Sequence, residues 1–485
     1  MIKFNDLVAL ADKRVEDFHE MVRLGLHCKH GDFVPAVHYP PITKYPPITQ
    51  EEMFKGYTPP ANGLMDVYYH IPFCPKRCIY CHYPSQYGAS DCEKDRYIDA
   101  MSKEIDIYKA QLGMDKIKLR VALAGGGTPT DLTPKQLDRF LKMFTSKCDM
   151  SNLRQFNYDV DPWTLVGPDG HERLRIMRDY GVDRLTIGIQ SLNEKIIRHM
   201  NRAHDKKTAL ESIKNTLAYG YQLDIEFIFG YPEQTLESWF EDLKEMVTLD
   251  SPEIQFYRLK VEAYGDQQGL IKKMEQIHPE DVPPVDDTMR MKQMAIDYLA
   301  EHGYHENLRR VFTKKRTDIS LYAFNQCCLL YDQMSFGQTA FSSLRDRFVL
   351  NTQYLDEYYQ NISEGKLPFN RGYVRDAEAQ QRWCIILPLK NWTFRKRHFK
   401  SMTGVDVETT KFWPILQKLK KFGLVEEVGD NVLQLTKLGA FFADEVVECF
   451  YDPRFIPFRR EYYNEGPLNP YVINEEMAEI ERSLR

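Results

Sequence analysis

The middle of the chain, from about residue 65 to about residue 260, alternates short apolar segments with longer amphipathic ones. The apolar segments predict strands, which lie at 66–70, 119–124, 156–160, 184–189, 224–229 and 254–259. The amphipathic segments predict helices, which lie at 94–111, 134–144, 171–180, 207–219 and 236–247. Because strand and helix alternate, we predict an α/β fold with a parallel sheet and right-handed crossovers. Six such units favour a partial (β/α)6 barrel of the TIM type over an open sheet, although periodicity alone does not separate the two.

Polar and glycine residues follow the ends of these predicted strands. They are Cys74, Cys78 and Cys81 after the first, Gly125 to Thr128 after the second, Asp159 and Asp161 at the third, Gln190 at the fourth, and Glu226 within the fifth. In a parallel barrel the carboxyl ends of the strands meet at one mouth, where the connecting loops converge. We therefore expect the chemistry of the protein at that mouth.

The flanking regions follow other patterns. Residues 1–60 predict a helix and then a proline-rich arm along the surface. The barrel is expected over 61–270, and 271–376 is expected to be a helical extension and connection whose clearest helix lies at 286–302. Residues 377–485 predict helices, a hairpin at 423–435 and a tail, an order that resembles a winged-helix domain.

A winged-helix domain on its own would suggest DNA binding. The acidic residues behind the hairpin, Asp444, Glu445 and Glu448, do not suit a surface that faces phosphates. They favour a domain that covers substrate or supports the barrel.

Composition narrows the class of protein further. Of 485 residues, 64 are Lys or Arg and 70 are Asp or Glu, and no long basic block is present, so bulk nucleic-acid binding is disfavoured. No apolar run approaches the roughly 18 residues of a membrane span. The first 17 residues show no small-residue cleavage site. We therefore predict a cytoplasmic protein without a membrane span.

Three of the ten cysteines, Cys74, Cys78 and Cys81, fall within eight residues. Thiolates spaced in this way can hold three irons of a cubane iron–sulfur cluster and leave the fourth iron open to a small molecule. A zinc site with His70 or His82 as the fourth ligand is the alternative. The short spacing favours the cluster, because structural zinc sites usually use two separated pairs of ligands.

The sequence YYHIPFCPKRCIYC at 68–81 resembles the signature of radical S-adenosylmethionine (SAM) enzymes, specifically those similar to oxygen-independent coproporphyrinogen III oxidase. The resemblance continues through GGGTPT at 125–130, IGIQSLN at 187–193 with Asn201 and Arg202, FGYPEQT at 229–235 and LTKLG at 435–439. It covers roughly residues 55 to 455. Together these motifs are specific, whereas the glycine run alone would be weak.

The resemblance implies a 4Fe-4S cluster on Cys74, Cys78 and Cys81, with SAM on the open iron, and it implies two SAM molecules in all. One electron from the cluster cleaves SAM and yields a 5′-deoxyadenosyl radical. By position, the residues that contact SAM are Gly126, Gly127, Thr128, Asp159, Gln190, Arg202 and Glu226. Asp159 stands where the family usually has Glu, and Glu226 where it usually has Asp. Tyr68 and His70 are the candidate catalytic residues.

Three reactions are compatible with this resemblance. Methyl or methylene transfer from a second SAM to an sp2 carbon of an aromatic, unsaturated or tetrapyrrole substrate is the first prediction. Oxidative decarboxylation of coproporphyrinogen III and haem handling or haem chaperoning are the alternatives. The oxidases carry Gly-Cys directly after the cluster cysteines, where this chain has His82 and Tyr83. The expected partners are a small-molecule substrate and a low-potential electron donor such as flavodoxin or ferredoxin.

Overall fold

A computed structural model describes residues 2–29, 38–261, 269–456 and 458–473 of the chain. Its main helices are α1 Phe4–Arg23, α2 Gln50–Phe54, α3 Asp91–Gln111, α4 Pro134–Lys147, α5 Gly167–Asp179, α6 Glu194–His199, α7 Lys206–Ala218, α8 Leu236–Thr248, α9 Leu270–Ile277, α10 Val285–Glu301, α11 Leu321–Phe324, α12 Leu355–Ser363, α13 Ala377–Lys390, α14 Lys396–Thr403, α15 Trp413–Lys421, α16 Lys437–Phe441 and α17 Ala443–Glu448. Its main strands are β1 Leu64–Ile71, β2 Ile117–Gly126, β3 Gln155–Val160, β4 Arg184–Gln190, β5 Gln222–Phe229, β6 Glu253–Arg258, β7 His305–Leu308, β8 Val311–Thr313, β9 Gln333–Phe336, β10 Phe341–Leu344, β11 Arg347–Asn351, β12 Phe369–Val374, β13 Thr393–Arg395, β14 Val425–Val428 and β15 Val432–Leu435.

Strands β1 to β6 form the predicted partial barrel. They are parallel and lie in the order β6-β5-β4-β3-β2-β1. Helices α3, α4, α7 and α8 between these strands begin at Ser90, Thr133, Asp205 and Thr235, whose side chains accept hydrogen bonds from backbone N–H groups of the first turn. The α/β fold class and the partial barrel predicted from the sequence are confirmed.

The region 271–376 differs from the helical extension that the sequence predicts. It contains helix α10 as expected, but also strands β7 to β12, which continue the barrel sheet on both sides. Strand β9 pairs parallel with β1, and the others pair antiparallel. Several residues of these strands are polar and buried, including Ser342, Ser343, Arg347 and Asn351. A pattern of apolar residues in the sequence cannot predict such strands. Their buried residues are polar, and contacts with residues distant in sequence bury them.

The last region has the predicted winged-helix order. Helices α13, α14 and α15 pack beside a three-stranded sheet in the order β13-β15-β14. Strands β14 and β15 pair antiparallel across the turn at 429–431, as the predicted hairpin requires. The domain boundaries at 60, 270 and 376 stay predictions, and the parts of the predicted arm at 35–37 and of the predicted tail from 474 onward lie outside the described residues.

Helix α1 contributes to both large hydrophobic cores. Leu7 and Ala11, in its first half, pack into the barrel core. Val15 and Phe18, in its second half, pack with the winged-helix residues. Further along the chain, Pro47 forms an antiparallel bridge with Arg371 of β12. In the part of the chain that the structure covers, no helix is both long and apolar enough to cross a bilayer.

Candidate active site at the barrel mouth

The three clustered cysteines lie on a loop that leaves the carboxyl end of β1. A short parallel pairing of Phe73–Cys74 with Gln86–Tyr87 closes this loop. The backbone N–H of Gln86 donates to the carbonyl of Pro72 at 2.8 Å. Cys74, Cys78 and Cys81 are free thiols and partly exposed. We call residues 74–85 the cysteine loop.

The thiols of the cysteine loop lie close enough to influence one another. Burial raises the pKa of Cys74 to about 11, and negative charge on Cys81 and Cys78 raises it further. Burial likewise raises the pKa of Cys81. Three thiolates in such a setting need cations among them, as the irons of a cluster provide, so the donor set fits a 4Fe-4S cluster. Within the described residues no three metal-binding side chains are placed to share one ion, whereas each thiolate of a cubane binds a separate iron.

The glycine run at the end of β2 packs directly against the cysteine loop. The N–H of Gly127 donates to the carbonyl of Ile71 at 2.9 Å, and the N–H of Thr128 donates to that of Phe73 at 2.7 Å. A Cβ on Gly127 would lie 2.7 Å from the Phe73 carbonyl oxygen and 2.8 Å from the Sγ of Cys74. Gly126 has φ +125°, a backbone conformation that favours glycine. The glycines therefore bring β2 against the cysteines more closely than side chains would allow.

Arg202, after helix α6, joins the cysteine loop to β3 and β4. Its Nη1 donates to the Sγ of Cys78 at 3.2 Å and to the Tyr80 hydroxyl at 3.0 Å. Its Nη2 donates to Asp161 Oδ2 at 2.6 Å and to the Gly188 carbonyl at 2.5 Å. Arg202 and the neighbouring His204 stabilise the ionised form of Asp161, whose pKa is lowered despite its burial. The guanidinium predicted to contact SAM is thus paired with a carboxylate of the chain itself.

Gln190 ends β4 in a left-handed conformation, with φ 71°. A register shift between Gly188 and Gln190 accompanies this conformation. The side-chain amide folds back over Gly188, where a Cβ would lie 2.6 Å from the Gln190 nitrogen. Gln190, which the sequence predicts to contact SAM, therefore places a buried side-chain amide at the mouth. It lies beside the Gly188 carbonyl, which accepts a hydrogen bond from Arg202.

Asp159 and Glu226 lie inside the barrel below this mouth. Burial raises the pKa of Asp159 to about 7, and Asp224 adds to the rise while Arg184 opposes it. Burial, Asp224 and Asp159 raise the pKa of Glu226 to about 8. The hydroxyl of Tyr257 donates to Glu226 at 3.1 Å. Both carboxyls can therefore carry protons near neutral pH and act as hydrogen-bond donors.

Tyr68 and His70 lie on β1 and are in contact with each other. The Tyr68 hydroxyl lies 3.1 Å from Nδ1 of His70, and the hydroxyl of Thr339 lies 3.1 Å from its Nε2. Burial lowers the pKa of His70 to about 4, so the ring is neutral near pH 7. Both ring nitrogens are engaged, which holds the imidazole in one orientation beside the cysteine loop.

The structure brings the predicted site residues to one end of the barrel. Direct contacts join Cys74 to Thr128, whose Sγ and Oγ1 lie 3.6 Å apart, and Cys78 to Arg202. A Cβ on Gly125 would lie 2.6 Å from Asp159 and 3.1 Å from the Tyr68 ring, so Asp159 borders Tyr68.

Sequence reasoning missed several residues of this site. The sequence places Asp161 at the end of the third strand but does not predict its pairing with Arg202, because only the tertiary structure brings the two side chains together. Arg184, a charged residue at the start of an apolar strand, pairs inside the barrel with Asp224 at 3.1 Å and Glu253 at 2.7 Å. Tyr257 and Thr339 carry no such signal, because tertiary packing alone brings them to the mouth.

Comparison with known proteins agrees with this arrangement. The model of the radical SAM superfamily matches residues 68–246. The haem chaperone HemW of Bacillus subtilis is 24% identical over 80% of this chain and 99% of its own length. The oxygen-independent coproporphyrinogen III oxidase of Escherichia coli is 26% identical over 80% of this chain and 85% of its own length. Anaerobilin synthase of Escherichia coli O157:H7 is 25% identical over 82% of this chain and 86% of its own length.

A solved structure supports the same fold. Coproporphyrinogen III oxidase (HemN) from Escherichia coli superposes with a TM-score of 0.68 and 23% identity, and the match covers 81% of this chain and 90% of that one. The cysteine loop, the glycine run and the strand-end polar residues lie within the region matched by the superfamily model. The chain therefore contains a radical SAM domain over residues 68–246 and is similar over most of its length to oxygen-independent coproporphyrinogen III oxidases and haem chaperones.

Proposed function

We propose that this radical SAM enzyme acts on a carboxylate-bearing tetrapyrrole, in an oxidative decarboxylation of the coproporphyrinogen oxidase type. The observation that carries the proposal is the convergence of the cysteine loop, Arg202 and the contacting pair of Tyr68 and His70 on one mouth. Relatives whose names refer to coproporphyrinogen III, haem and anaerobilin support this reading. They support it better than the methyl transfer that the sequence predicts first.

We assign the residues of the mouth as follows. Cys74, Cys78 and Cys81 would hold the 4Fe-4S cluster. When bound, cluster and SAM supply a 5′-deoxyadenosyl radical that abstracts a hydrogen atom from substrate. The residues proposed to bind and orient SAM are Gly126, Gly127, Thr128, Gln190 and Arg202.

Asp159 and Glu226 are proposed to bind hydroxyl groups of SAM or of a second SAM molecule. Their raised pKa values let them donate as well as accept hydrogen bonds. Tyr68 and His70 are proposed to face the substrate. The neutral ring of His70, fixed by Thr339, would hold the Tyr68 hydroxyl in place.

The electron donor is proposed to dock beside the cysteine loop. Lys76 and Arg77 lie on this loop and are exposed, and basic side chains at the surface suit an acidic partner such as flavodoxin or ferredoxin. A cytoplasmic location and the absence of nucleic-acid binding stay predictions of the sequence.

Anaerobic incubation with coproporphyrinogen III tests the main proposal. Reduced, reconstituted enzyme with methyl-deuterated SAM is expected to release carbon dioxide, 5′-deoxyadenosine and methionine, with vinyl groups formed on the porphyrinogen. Protein lacking Cys74, Cys78 and Cys81 is the control and should produce none of these. S-adenosylhomocysteine together with deuterium in the product would instead establish methyl transfer.

Haem handling is the second candidate, and His82 and Tyr83 favour it. Both are exposed, and their rings stack with centroids 5.6 Å apart directly after Cys81. Histidine and tyrosine are both known axial ligands of haem iron. A haem chaperone would bind haem without consuming SAM, so a Soret band that is lost in H82A and Y83A, with no 5′-deoxyadenosine formed, would replace decarboxylation by this function.

A further inference from the structure

A short turn between β9 and β10 contacts the imidazole of His70. We call residues 337–339 the 337–339 turn. Its last residue is Thr339, whose hydroxyl lies 3.1 Å from Nε2 of His70. Its middle residue, Gln338, is fully buried and accepts a hydrogen bond at 3.4 Å from Gln86, which directly follows the cysteine loop. The turn therefore contacts both the imidazole and the segment that closes the cysteine loop.

Helix α3 packs one face against this turn. Tyr97, Met101 and Glu104 are four and three residues apart, so they lie on the same side of the helix. The hydroxyl of Tyr97 donates to the carbonyl of His70 at 2.7 Å, and it accepts from the N–H of Gln338 at 2.8 Å. One hydroxyl group thus joins the backbone of β1 to the backbone of the 337–339 turn.

The carboxyl group of Glu104 is buried and accepts three hydrogen bonds. The N–H of Gly337 donates to it at 2.8 Å, the side-chain amide of Asn351 at 2.7 Å and the hydroxyl of Tyr358 at 2.7 Å. The amide of Asn351 also donates to the carbonyl of Gly337 at 2.8 Å. Burial raises the pKa of Glu104 to about 7, and the three donors oppose that rise because they stabilise the carboxylate. Donors from the turn, β11 and α12 therefore converge on one acid.

The backbone of the 337–339 turn is strained at two positions. Gly337 has φ +104°, and a Cβ on it would lie 2.5 Å from the carbonyl oxygen of His70. Thr339 has φ +60°, which is uncommon for a β-branched residue. Backbone strain of this kind persists only where the surrounding structure holds it. Here Glu104 and Tyr97 bond to the first two N–H groups of the turn.

We propose that Tyr97 and Glu104 are positioning residues for the imidazole of His70. Together they hold the 337–339 turn against β1, so that Thr339 keeps the ring in one orientation. Both residues act through hydrogen bonds to backbone groups of the turn and of β1.

His70 lies where the turn, the cysteine loop and Tyr68 meet. The carbonyl of Pro84 in the cysteine loop accepts a hydrogen bond from the ring, and the Tyr68 hydroxyl lies 3.1 Å from Nδ1. Movement of the 337–339 turn would release the ring and displace the Tyr68 hydroxyl, which is proposed to face the substrate. This consequence for turnover rests on the proposed function, whereas the orientation of the ring does not.

Chemical labelling of His70 with diethyl pyrocarbonate tests the positioning role. The reagent attacks an unprotonated imidazole nitrogen, and mass spectrometry of the digest locates the label. The exposed His82 is the internal reference. In anaerobically reconstituted protein, Tyr97→Phe and Glu104→Gln should each raise the labelling rate of His70 relative to His82 by about 5-fold or more, as expected when one or two buried hydrogen bonds are lost.

Three further variants separate a local effect from a general loss of stability. Thr339→Val should accelerate the labelling of His70, whereas Thr339→Ser, which keeps the hydroxyl, should retain the wild-type rate. Tyr304→Phe is the matched control, because it removes a buried hydroxyl that donates to the carbonyl of Ser251 at 2.7 Å, before the amino end of β6. It should leave the labelling of His70 unchanged. Iron content and thermal midpoint show which variants keep the native structure, and Tyr97→Phe serves if Glu104→Gln does not fold.

Turnover of coproporphyrinogen III supplies the second measurement. The folded variants should form more 5′-deoxyadenosine per vinyl group than the wild type, because the radical is used less efficiently. An unchanged labelling rate in folded Tyr97→Phe and Glu104→Gln overturns the positioning role. Faster labelling with an unchanged product ratio also overturns it, because the orientation of His70 would then not matter to the reaction. Faster labelling in the variants, together with no turnover by the wild type, supports the positioning role and contradicts the proposed function alone.

Discussion

Arg202 connects more parts of the mouth than any other residue that the sequence predicts for SAM. Its side chain is 8% exposed and bonds to Asp161, Gly188, Tyr80 and Cys78. An arginine so placed can orient both the cysteine loop and the strand ends, whether or not it also reaches SAM. The guanidinium of Arg202 can therefore have a structural role as well as the proposed role in SAM binding.

Replacing Arg202 with Ala should weaken SAM binding by about 1.5–3 kcal/mol, the usual loss for a charge-assisted hydrogen bond. Equilibrium dialysis of SAM against anaerobically reconstituted protein measures this loss. Arg202→Lys should lose less, because it keeps the positive charge next to Asp161. Arg198→Ala, an exposed arginine on α6, is the matched control. Unchanged affinity in Arg202→Ala would make Arg202 a structural partner of Asp161 alone.

Glu226 should make the stability of the protein depend on pH. Its pKa is raised to about 8 in the folded state and is near about 4.3 in an unfolded chain. Between these values the folded state binds the proton and the unfolded state does not, so stability falls as pH rises through this window and is lowest above about pH 8.

Glu226→Gln should therefore resemble the wild type near about pH 5 and be more stable near about pH 9, by up to about 4 kcal/mol. Thermal unfolding of the reconstituted protein across this range measures the difference. Glu211→Gln, on an exposed position of α7, should show no such crossover. A constant offset at every pH would mean that the Glu226 carboxyl does not titrate in this window.

At the scale of elements, the site depends on two loops that leave neighbouring parallel strands. The cysteine loop leaves β1 and the glycine run ends β2, and their strand ends are in register, with His70 opposite Gly125 and Ile71 opposite Gly126. Backbone hydrogen bonds from Gly127 and Thr128 then join the two loops. The position of the cysteines therefore depends on residues about fifty positions away, through a few backbone contacts.

Gly127→Ala should displace the cysteine loop, because the added Cβ would approach the backbone of Phe73 and Pro72 and the Sγ of Cys74 to 2.7–2.8 Å. We expect fewer irons per chain after reconstitution and a loss of stability of about 1–3 kcal/mol from overpacking. Iron analysis and the charge-transfer absorption of the cluster measure the first effect. Gly113→Ala is the control for backbone strain: its Cβ meets nothing within 4 Å but its φ is +64°, so it should lose some stability and keep full iron content. Full iron content in Gly127→Ala would show that the cysteine loop tolerates the displacement.

At the scale of the whole molecule, Asp444 holds the C-terminal domain to the barrel extension. Its side chain is 2% exposed and pairs with Arg309, Arg310 and Lys390. Helix α1 adds a second connection, because its two halves pack into the two hydrophobic cores. The mouth is thus enclosed by parts of the chain that are distant in sequence.

Asp444→Asn should lower the stability of the protein by about 3–5 kcal/mol, because it removes the charge of a buried carboxylate that pairs with three cations. The midpoint of chemical denaturation measures this change. Asp430→Asn is the matched control, because Asp430 pairs with Arg397 where both side chains are largely exposed, and such pairs contribute little. Similar midpoints for the two variants would show that Asp444 is not needed to hold the domains together.

The sequence alone determined the barrel strands, the helices between them and the cluster motif. Strands such as Gln222–Phe229 are short apolar runs, and the periods of strand and helix follow from backbone geometry within a few residues. The spacing of Cys74, Cys78 and Cys81 is likewise local, so the amino-acid sequence is sufficient to recognise the ligand pattern of a cluster. The hairpin at 429–431 followed from its turn residues in the same way.

Tertiary structure alone decided the strands of 271–376, the pairing of Arg202 with Asp161 and the pairing of Asp444 with Arg309 and Lys390. Strands such as Arg347–Asn351 are buried through polar groups that bond to distant residues, so no apolar pattern marks them. Arg309, Lys390 and Asp444 lie on three separate segments of the chain, and the local sequence around one of them does not predict its contact with the others. The physical reason is that periodicity is set by neighbouring residues, whereas electrostatics inside the protein is set by which segments packing brings together.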